Sequence, residues 1–425
     1  MKIAVIGGGA SGLTAAIAAA RNGAKVTVFE RNDKVGKKIL VTGNGKCNIS
    51  NTSLSEEYYY SEDRDFIVSS FDRFGLNDTM RFFKGLGLML TEKRGGIYPY
   101  SEQASSVLDA LRFEVDSLGV KVLSNSYVKE ITPNGARYKI SYEYSIKEEN
   151  TNSKNKKNSK LISVSVENRQ EVFDKVIIST GGKAAPKTGS DGNGYSLIRK
   201  LGHKVTCVNP ALGGLRCSGD FWKAISGVRC SANVSVLVNG ELIISEQGEL
   251  QLTDYGVSGI PVFQVSRVAS KALSDKKSVS VKIDFMPELS KEELVQEAEF
   301  RLLLLSDRTK EQFFNGIFNK KLTQFFLKEA KLDFNKCIEK KDIEIVSAIA
   351  KEFTVDVIGD NGYDQAQVTA GGVPLSEIND NFESVINKGM YIIGELLDVD
   401  GKCGGYNLQW AWTSGYIAGE AASKC

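Results

Sequence analysis

Histidine is almost missing from this chain: one, His203, stands in 425 residues. A Ser-His-Asp arrangement resting on a second histidine is therefore excluded, and most histidine-based metal sites go with it. His203 itself, in Leu201-Gly-His-Lys204, reads as a structural or surface imidazole. The seven cysteines (Cys47, Cys207, Cys217, Cys230, Cys337, Cys403, Cys425) are scattered, odd in number and without a C-x-x-C pair. That disfavours a disulfide framework, a zinc site and a dithiol redox pair, so no metal is expected. Charge of one sign is missing too: 54 basic and 52 acidic residues leave a formal +2. Nothing in that balance calls for a nucleic-acid partner or an anionic membrane surface. No apolar run is long and clean enough to span a bilayer, so a soluble, cytoplasmic protein is expected.

What is present begins at the N-terminus. Lys2-Ile-Ala-Val-Ile6 leads into Gly7-Gly-Gly9-Ala-Ser-Gly12, an Ala-rich apolar stretch and a second strand ending in Glu30. In that order, Gly7 allows a sharp turn, Gly9 removes a β-carbon from the path of a pyrophosphate, and Gly12 lets the helix pack close on the strand. The free N–H groups of the helix start then face phosphate. Glu30 accepts from a ribose hydroxyl pair and repels a 2′-phosphate, which favours FAD or NAD over NADP here. The same stretch has the look of a signal peptide. Three glycines before the apolar run, and Arg21 in place of a cleavage-like end, favour a buried strand and helix instead.

At 425 residues with 42% apolar composition, two or three cores are expected. The first helix runs from about Ser11 to the stop at Gly23, and Lys25 to Glu30 is a buried strand. Helices are predicted near 65–74, 77–85 (capped by Asn77) and 103–118, with a hairpin around Gly95-Gly96. From Tyr127 to Ile178 the period changes to two, with a turn at Asn134-Gly135: a meander returning to the sheet. Its polar interruption, Lys147 to Lys160, reads as a loop tip rather than a basic arm, since Glu148 and Glu149 dilute the charge. A β-type domain with a turn at Asn239-Gly240 follows His203 and runs to about Phe285. Ser290 with Glu293 then makes a capping box for a small helical insert. Strand character resumes near 353–358, and the strand 390–395 precedes a closing helix near Trp410 to Ala422.

The segment Gly36-Lys-Lys38 to Asn51, the pair Gly181-Gly182 after Thr180, and Gly394-Glu395 with Asp398 bring three further small-residue segments to the first unit. Lys46 and Asn48 are donors there. A C-terminal return suits a long ligand whose ribitol hydroxyls donate to an acid such as Asp398, and NAD needs no such return. FAD is the expected cofactor.

Gly43-Asn-Gly-Lys-Cys-Asn-Ile-Ser-Asn51, Thr180-Gly-Gly-Lys-Ala-Ala-Pro-Lys-Thr-Gly-Ser190, Leu252-Thr-Asp-Tyr-Gly-Val-Ser-Gly-Ile-Pro261, Val368-Thr-Ala-Gly-Gly-Val-Pro374 and Gly394 to Gln409 resemble the flavoproteins named YhiN-like, BaiN-like or aminoacetone oxidase-like. The resemblance covers essentially the whole chain. It implies an α/β fold of the two-dinucleotide-binding-domain type, in which a Rossmann-like FAD-binding domain (1–195 and 355–425) is interrupted by a β-rich domain (196–286 with about 345–354) and a helical insert (287–344). It also implies noncovalent FAD held by Gly9, Ser11, Glu30, Arg31, Gly43, Asn44, Lys46, Cys47, Gly181, Asp398, Asn407, Leu408 and Gln409. The neighbouring positions Gly7, Ala10, Gly12, Lys38, Gly45, Val128, Thr180, Gly182, Gly394, Glu395 and Gly405 complete the expected cofactor-binding set. One departure is Leu252-Thr-Asp254 where members often show Phe-Thr-His; chemistry resting on that histidine is lost here.

The family's names span an oxidase of a small aminoketone and a reductase of a steroid-type enone, and hydride movement at flavin N5 is common to both. Lys46 either stabilises a reduced, anionic flavin or is a surface or phosphate-binding lysine. Cys47, without a partner cysteine nearby, reads as a packing residue rather than a redox thiol. Tyr255 and Tyr406 are the acid candidates in a site poor in histidine. The expected activity is an FAD-dependent oxidoreductase, reduced by NAD(P)H and reoxidised by a small organic acceptor, an enone for example, or by oxygen. With no second G-x-G-x-x-G after a strand, NAD(P)H is a transient co-substrate. The rivals are an amine oxidase using oxygen and a flavin-dependent RNA-modifying or RNA-binding protein, the near-neutral charge counting against the latter. A monomer or homodimer acting on a small molecule is expected.

Overall fold

Ile3, Ala4, Val5 and Ile6 are all buried, which is how a strand reads when elements cover both its faces. The computed structural model, which describes residues 1–148 and 163–424, places this strand, β1 (Lys2–Ile6), at the centre of a five-stranded parallel sheet. Across the sheet the order is Met390–Ile392, Lys175–Ile178, β1, β2 (Lys25–Phe29) and Lys121–Leu123. Ile6 lies level with Phe29 on one side and Ile178 on the other. The glycine-rich turns therefore leave the sheet together at its carboxyl edge.

Helix α1 (Ala10–Arg21) connects β1 to β2 and ends as expected at Gly23, whose left-handed backbone (φ +82°) suits a residue without a β-carbon. The closing helix, Tyr406–Ser423, packs on it through Gly415 and Gly419. A β-carbon at either position would stand 2.4 Å from a backbone oxygen of α1, that of Ser11 or Ala15. The strands Ser126–Asn134, Arg137–Glu148 and Ser163–Phe173 form the antiparallel meander beside the sheet. Beyond Glu148, the polar segment 147–160 falls outside the described residues. The expected capping residue Asn77 is not the cap. The helix Leu76–Gly85 starts one residue earlier, and the Asp78 carboxylate accepts from the Gly75 N–H at 3.1 Å.

The chain groups into two units, Met1–Val208 with the segment from Val368 onward, and Asn209–Gln367. The second contains a closed six-stranded barrel, with Leu215–Cys217, Gly256–Gly259, Glu241–Leu252, Arg229–Val238, Val279–Asp284 and Phe353–Asp360 in that order around it. Its hairpin turns at Asn239-Gly240, both left-handed, as the type I′ geometry requires. The boundaries differ from the sequence expectation in three ways. Residues 196–208, expected in the β-rich domain, belong to the first unit. Residues 355–367 belong to this unit because strand Phe353–Asp360 closes the barrel against Val279–Asp284 and Leu215–Cys217. The helices of the expected insert, from Lys291–Leu305 to Lys340–Glu352, share one core with the barrel: Phe313, Phe326 and Ile343 are buried in the same cluster as Val234, Val236 and Val281. The Ser290–Glu293 box forms as read, with both bonds present. Among the described residues no helix is long and apolar enough to cross a membrane.

Candidate functional site

Three glycines at the end of β1 shape the first wall. Gly7 turns the chain with φ +108°, and a β-carbon there would meet Ser179 O at 2.5 Å. On Gly12 it would stand 2.0 Å from Gly7 O, whereas on Gly9 it would meet nothing within 4 Å. Gly9 thus borders open space directly before α1. No side chain caps α1 and no acidic residue sits in its first turn, so the N–H groups of Ala10, Ser11 and Gly12 precede the first intrahelical bond, Leu13 N–H to Gly9 O. An anion is the natural partner of such an end.

Glu30 follows β2 and is buried. One carboxylate oxygen accepts from Gly8 N–H at 3.0 Å, the other from the backbone and side-chain N–H of Asn32, both at 2.8 Å. Burial pushes its carboxyl above the usual range, against the opposing pull of those hydrogen bonds. For an acid whose folded value is raised, the ionised form is disfavoured by folding. Stability without cofactor is fully present below the ordinary value of 4.5 and declines as pH rises through the raised one. The ionised form is the better acceptor for ribose hydroxyls, so FAD affinity is expected to rise over the same window. Titrating the apoprotein with FAD across acidic pH checks this, and Glu30→Gln should flatten the dependence; an identical slope in the variant would assign it to another group.

Arg31, next in sequence, pairs with Asp191 and lies over the Tyr127 ring, 4.9 Å from its centroid. Val128, one residue on, is buried, and its carbonyl accepts from Asn193. The loop 43–47 is held in an unusual shape: Gly43, Asn44, Gly45 and Cys47 all have left-handed backbones. Thr42 O accepts from Cys47 N–H at 3.1 Å, closing the turn. Such conformations cluster at ligand clamps. Cys47 is fully buried and its thiol is pushed up to about 12 by that burial, which excludes a resting thiolate and supports packing. Lys46 is exposed and bonds Glu102 at 2.6 Å, and Glu102 also pairs with Lys93. These neighbours hold the Glu102 carboxyl down at about 2.

From the C-terminal segment, Glu395 bonds Lys38 at 2.7 Å and accepts from Thr369 N–H at 2.9 Å. Thr369 Oγ1 in turn accepts from the Lys183 and Ala184 N–H groups. This network ties the segments after β2, after Lys175–Ile178 and after Met390–Ile392 into one frame; Thr369, inside the Val368–Pro374 motif, was not among the expected site residues. A β-carbon on Gly182 would strike that Thr369 hydroxyl at 2.5 Å, and one on Gly394 the Ser11 hydroxyl at 2.5 Å. Asp398 accepts from Thr206 Oγ1 at 2.8 Å. The closing helix starts at Tyr406, four residues before the expected Trp410, and Gly405 (φ +99°) precedes it without a side-chain cap. The N–H groups of Tyr406, Asn407 and Leu408 precede its first internal bond. Asn407 braces this start through Gly401, accepting from its N–H and donating to its carbonyl. Gln409, expected as a cofactor contact, is committed elsewhere: its buried side chain bonds Ser50, Thr79 and Thr413, and its N–H donates to Gly405 O. Tyr406 is buried against Tyr58, its hydroxyl raised to about 12, a poor acid. Tyr255 lies in the second unit. His203 is structural: its two ring nitrogens sit 2.6 Å from Glu377 Oε2 and 2.8 Å from Ser384 Oγ, all three residues shielded.

One unit therefore brings together two uncapped helix starts, an acceptor locked at the end of β2, and glycines at every close approach. Thr180 Oγ1 and Asn48 Oδ1 are buried without a partner among the described residues. Orphaned groups of this kind are what a bound ligand satisfies.

The family model described as the HI0933-like protein Rossmann domain matches residues 1–421. The chain belongs to this family. A 3-dehydro-bile acid delta(4,6)-reductase of Clostridium scindens is 38% identical over 100% of this chain and 99% of its own length. A ribosomal RNA dihydrouridine synthase of Haemophilus influenzae is 28% identical over 99% and 98%. Among solved structures, the 3-ketosteroid-delta4-(5alpha)-dehydrogenase of Rhodococcus jostii RHA1 superposes with a TM-score of 0.50 at 13% identity, over 100% of this chain and 96% of that one. At that identity the match speaks for the fold alone. The HI0933-like chain is an FAD-dependent oxidoreductase, and the residues present fit the cofactor: the start of α1 with Gly9 would face the pyrophosphate, Glu30 would accept from the ribose, and the closing helix start with the loop 43–47 would face the flavin. Bound there, FAD would supply two-electron hydride chemistry.

Proposed function

We propose that this protein uses NAD(P)H to saturate a carbon–carbon double bond conjugated to a carbonyl in a small, largely apolar molecule. The observation that carries the reading is the 38% identity, end to end, with the bile acid reductase. Its name describes an unsaturated 3-oxo steroid skeleton. The second kind of relative is named for dihydrouridine, a uracil ring saturated beside a carbonyl, so one bond chemistry underlies both names. Uracil in RNA is the second reading. The small molecule is preferred because identity to the bile acid relative is higher, and because a net charge of +2 offers little of the cationic surface on which RNA phosphate binding depends.

This chain's residues contribute binding and exclusion. The two helix starts favour negative charge on the cofactor, and buried Cys47 and Tyr406 offer no competing thiolate or acid. No second Gly-x-Gly-x-x-Gly stands in the sequence, and NAD(P)H is proposed as a transient co-substrate. The test is an anaerobic absorbance spectrum before and after NADH or NADPH, followed by a 3-oxo-4-ene steroid. Bleaching of the flavin band by a nicotinamide and its return with the steroid is the expected result. Bleaching by an amine without nicotinamide would overturn the proposal in favour of the oxidase. Return of the band only with a ribosomal RNA transcript would overturn it in favour of uracil.

A further inference from the structure

Two asparagines stand three residues apart where the loop 43–47 runs into the core of the first unit, and the fold itself uses the side chain of only one. Asn51 donates to Gly404 O at 2.9 Å and accepts from Ser53 N–H at 2.9 Å. Asn48 Oδ1 is shielded from solvent and has no hydrogen-bond partner among the described residues. Its position is nevertheless fixed from both sides. Cys47 N–H donates to Thr42 O, Ile49 N–H donates to Ile97 O at 2.7 Å, and Ile49 O accepts from the Trp412 indole at 3.0 Å. The amide packs on bare backbone. A β-carbon on Gly96 would stand 2.9 Å from its Nδ2 and 3.0 Å from its Oδ1, and one on Gly405 would stand 3.0 Å from Oδ1. Gly405 leads directly into the N–H groups of Tyr406, Asn407 and Leu408, which precede the first internal bond of the closing helix. A dry, held acceptor therefore adjoins the backbone donors of that helix start. Leaving a buried acceptor unmade costs stability, and a ligand donor is what such a group awaits.

We infer that Asn48 Oδ1 accepts the N3–H of the flavin ring. The inference rests on the ring lying against the loop 43–47 and the closing helix start, and on no particular substrate. The oxidised ring carries a single N–H, at N3, between two carbonyl oxygens, and its other polar atoms only accept. One acceptor set beside N–H donors is the complement of that edge: Oδ1 takes N3–H and the donors take a flanking oxygen. N3–H is present in the oxidised and the reduced ring alike, so the contact holds the ring in one register throughout the cycle. Because Asn48 is already held where it stands, little side-chain freedom is lost when the bond forms.

The experiment measures, by calorimetry, the affinity of the full-length apoprotein for FAD and for 3-methyl-FAD, in which a methyl group replaces the N3 hydrogen. Wild type should prefer FAD by about tenfold. Asn48→Ala should bind FAD about tenfold more weakly and bind the two cofactors alike. The wild-type comparison needs no variant, and equal affinity for both cofactors there would overturn the inference. A preference kept in full by Asn48→Ala, with both affinities lowered together, would overturn it in favour of a ribityl hydroxyl as the donor. No nicotinamide and no steroid enter the measurement. Its failure therefore leaves the enone reaction standing, and failure of enone reduction leaves the Asn48 contact standing.

Discussion

Changing Gly12 to alanine is expected to yield a protein that purifies without its yellow colour and melts early. The added β-carbon would stand 2.0 Å from Gly7 O and 2.6 Å from Ser179 Oγ. Ser179 is itself fixed, its hydroxyl within 3.0 Å of the carbonyl oxygens of Ile6 and Gly7. The clash is with backbone that the parallel sheet holds, so α1 must move off β1. Overpacking of this kind costs about 1–3 kcal/mol, and more where the partner cannot yield. The N–H groups of the α1 start, proposed to face the pyrophosphate, move with the helix. Gly9→Ala makes the contrast: its β-carbon meets nothing within 4 Å, so the apoprotein should melt like wild type and still bind FAD poorly, since the methyl occupies the cradle. Flavin-to-protein absorbance ratios and apoprotein melting curves separate the two. A Gly12→Ala protein with full flavin content would refute the cradle.

Removing Lys310 should be the most damaging single change in the second unit. Its ammonium lies 2.5 Å from Asp342 Oδ2, with side-chain exposures of 5% and 0%. The same oxygen accepts from Glu339 N–H at 2.9 Å, at the start of the helix Lys340–Glu352. Taking away one partner leaves an uncompensated buried charge, which costs about 3–5 kcal/mol, whereas replacing both by apolar groups is often neutral. Lys310→Met is therefore expected to lower the urea midpoint of the barrel unit sharply, and Lys310→Met with Asp342→Leu to recover most of it. The double variant should stay short of wild type by about 1 kcal/mol, because Asp342 also caps its helix. If Lys310→Met unfolds with the wild-type midpoint, the pair is not desolvated as described.

The local elements were readable because each rests on neighbours in sequence. Gly7, Gly9 and Gly12 at fixed spacing, the β-branched run to Glu30, and the Asn-Gly turn at 239–240 each carry their geometry within a few residues. The Ser290–Glu293 box is the same kind of signal, since both bonds lie inside one helical turn. Asn77 misled because Asp78, one position on, reaches back to Gly75 more directly.

Long-range partners were not legible. Gln409 looks like any polar residue at a helix start until Ser50 and Thr79, more than three hundred residues away in sequence, close around it. Thr369 stands in the Val368–Pro374 motif, but nothing in that motif says that it fastens Lys183, Ala184 and Glu395. Gly415-x-x-x-Gly419 was a signal available and unused: small residues four apart mark the face on which α1 packs.

The sequence by itself determined that this chain turns a strand into a helix around phosphate-sized space and places an acid at the next strand's end. Backbone conformation and hydrogen bonding over a dozen residues are short-range physics. Only the tertiary structure decided that Phe353–Asp360 completes a barrel and that Lys310 and Asp342 are buried against each other. Those outcomes depend on which distant strands pair and which side chains lose their water together, and burial of that kind is a property of the whole fold.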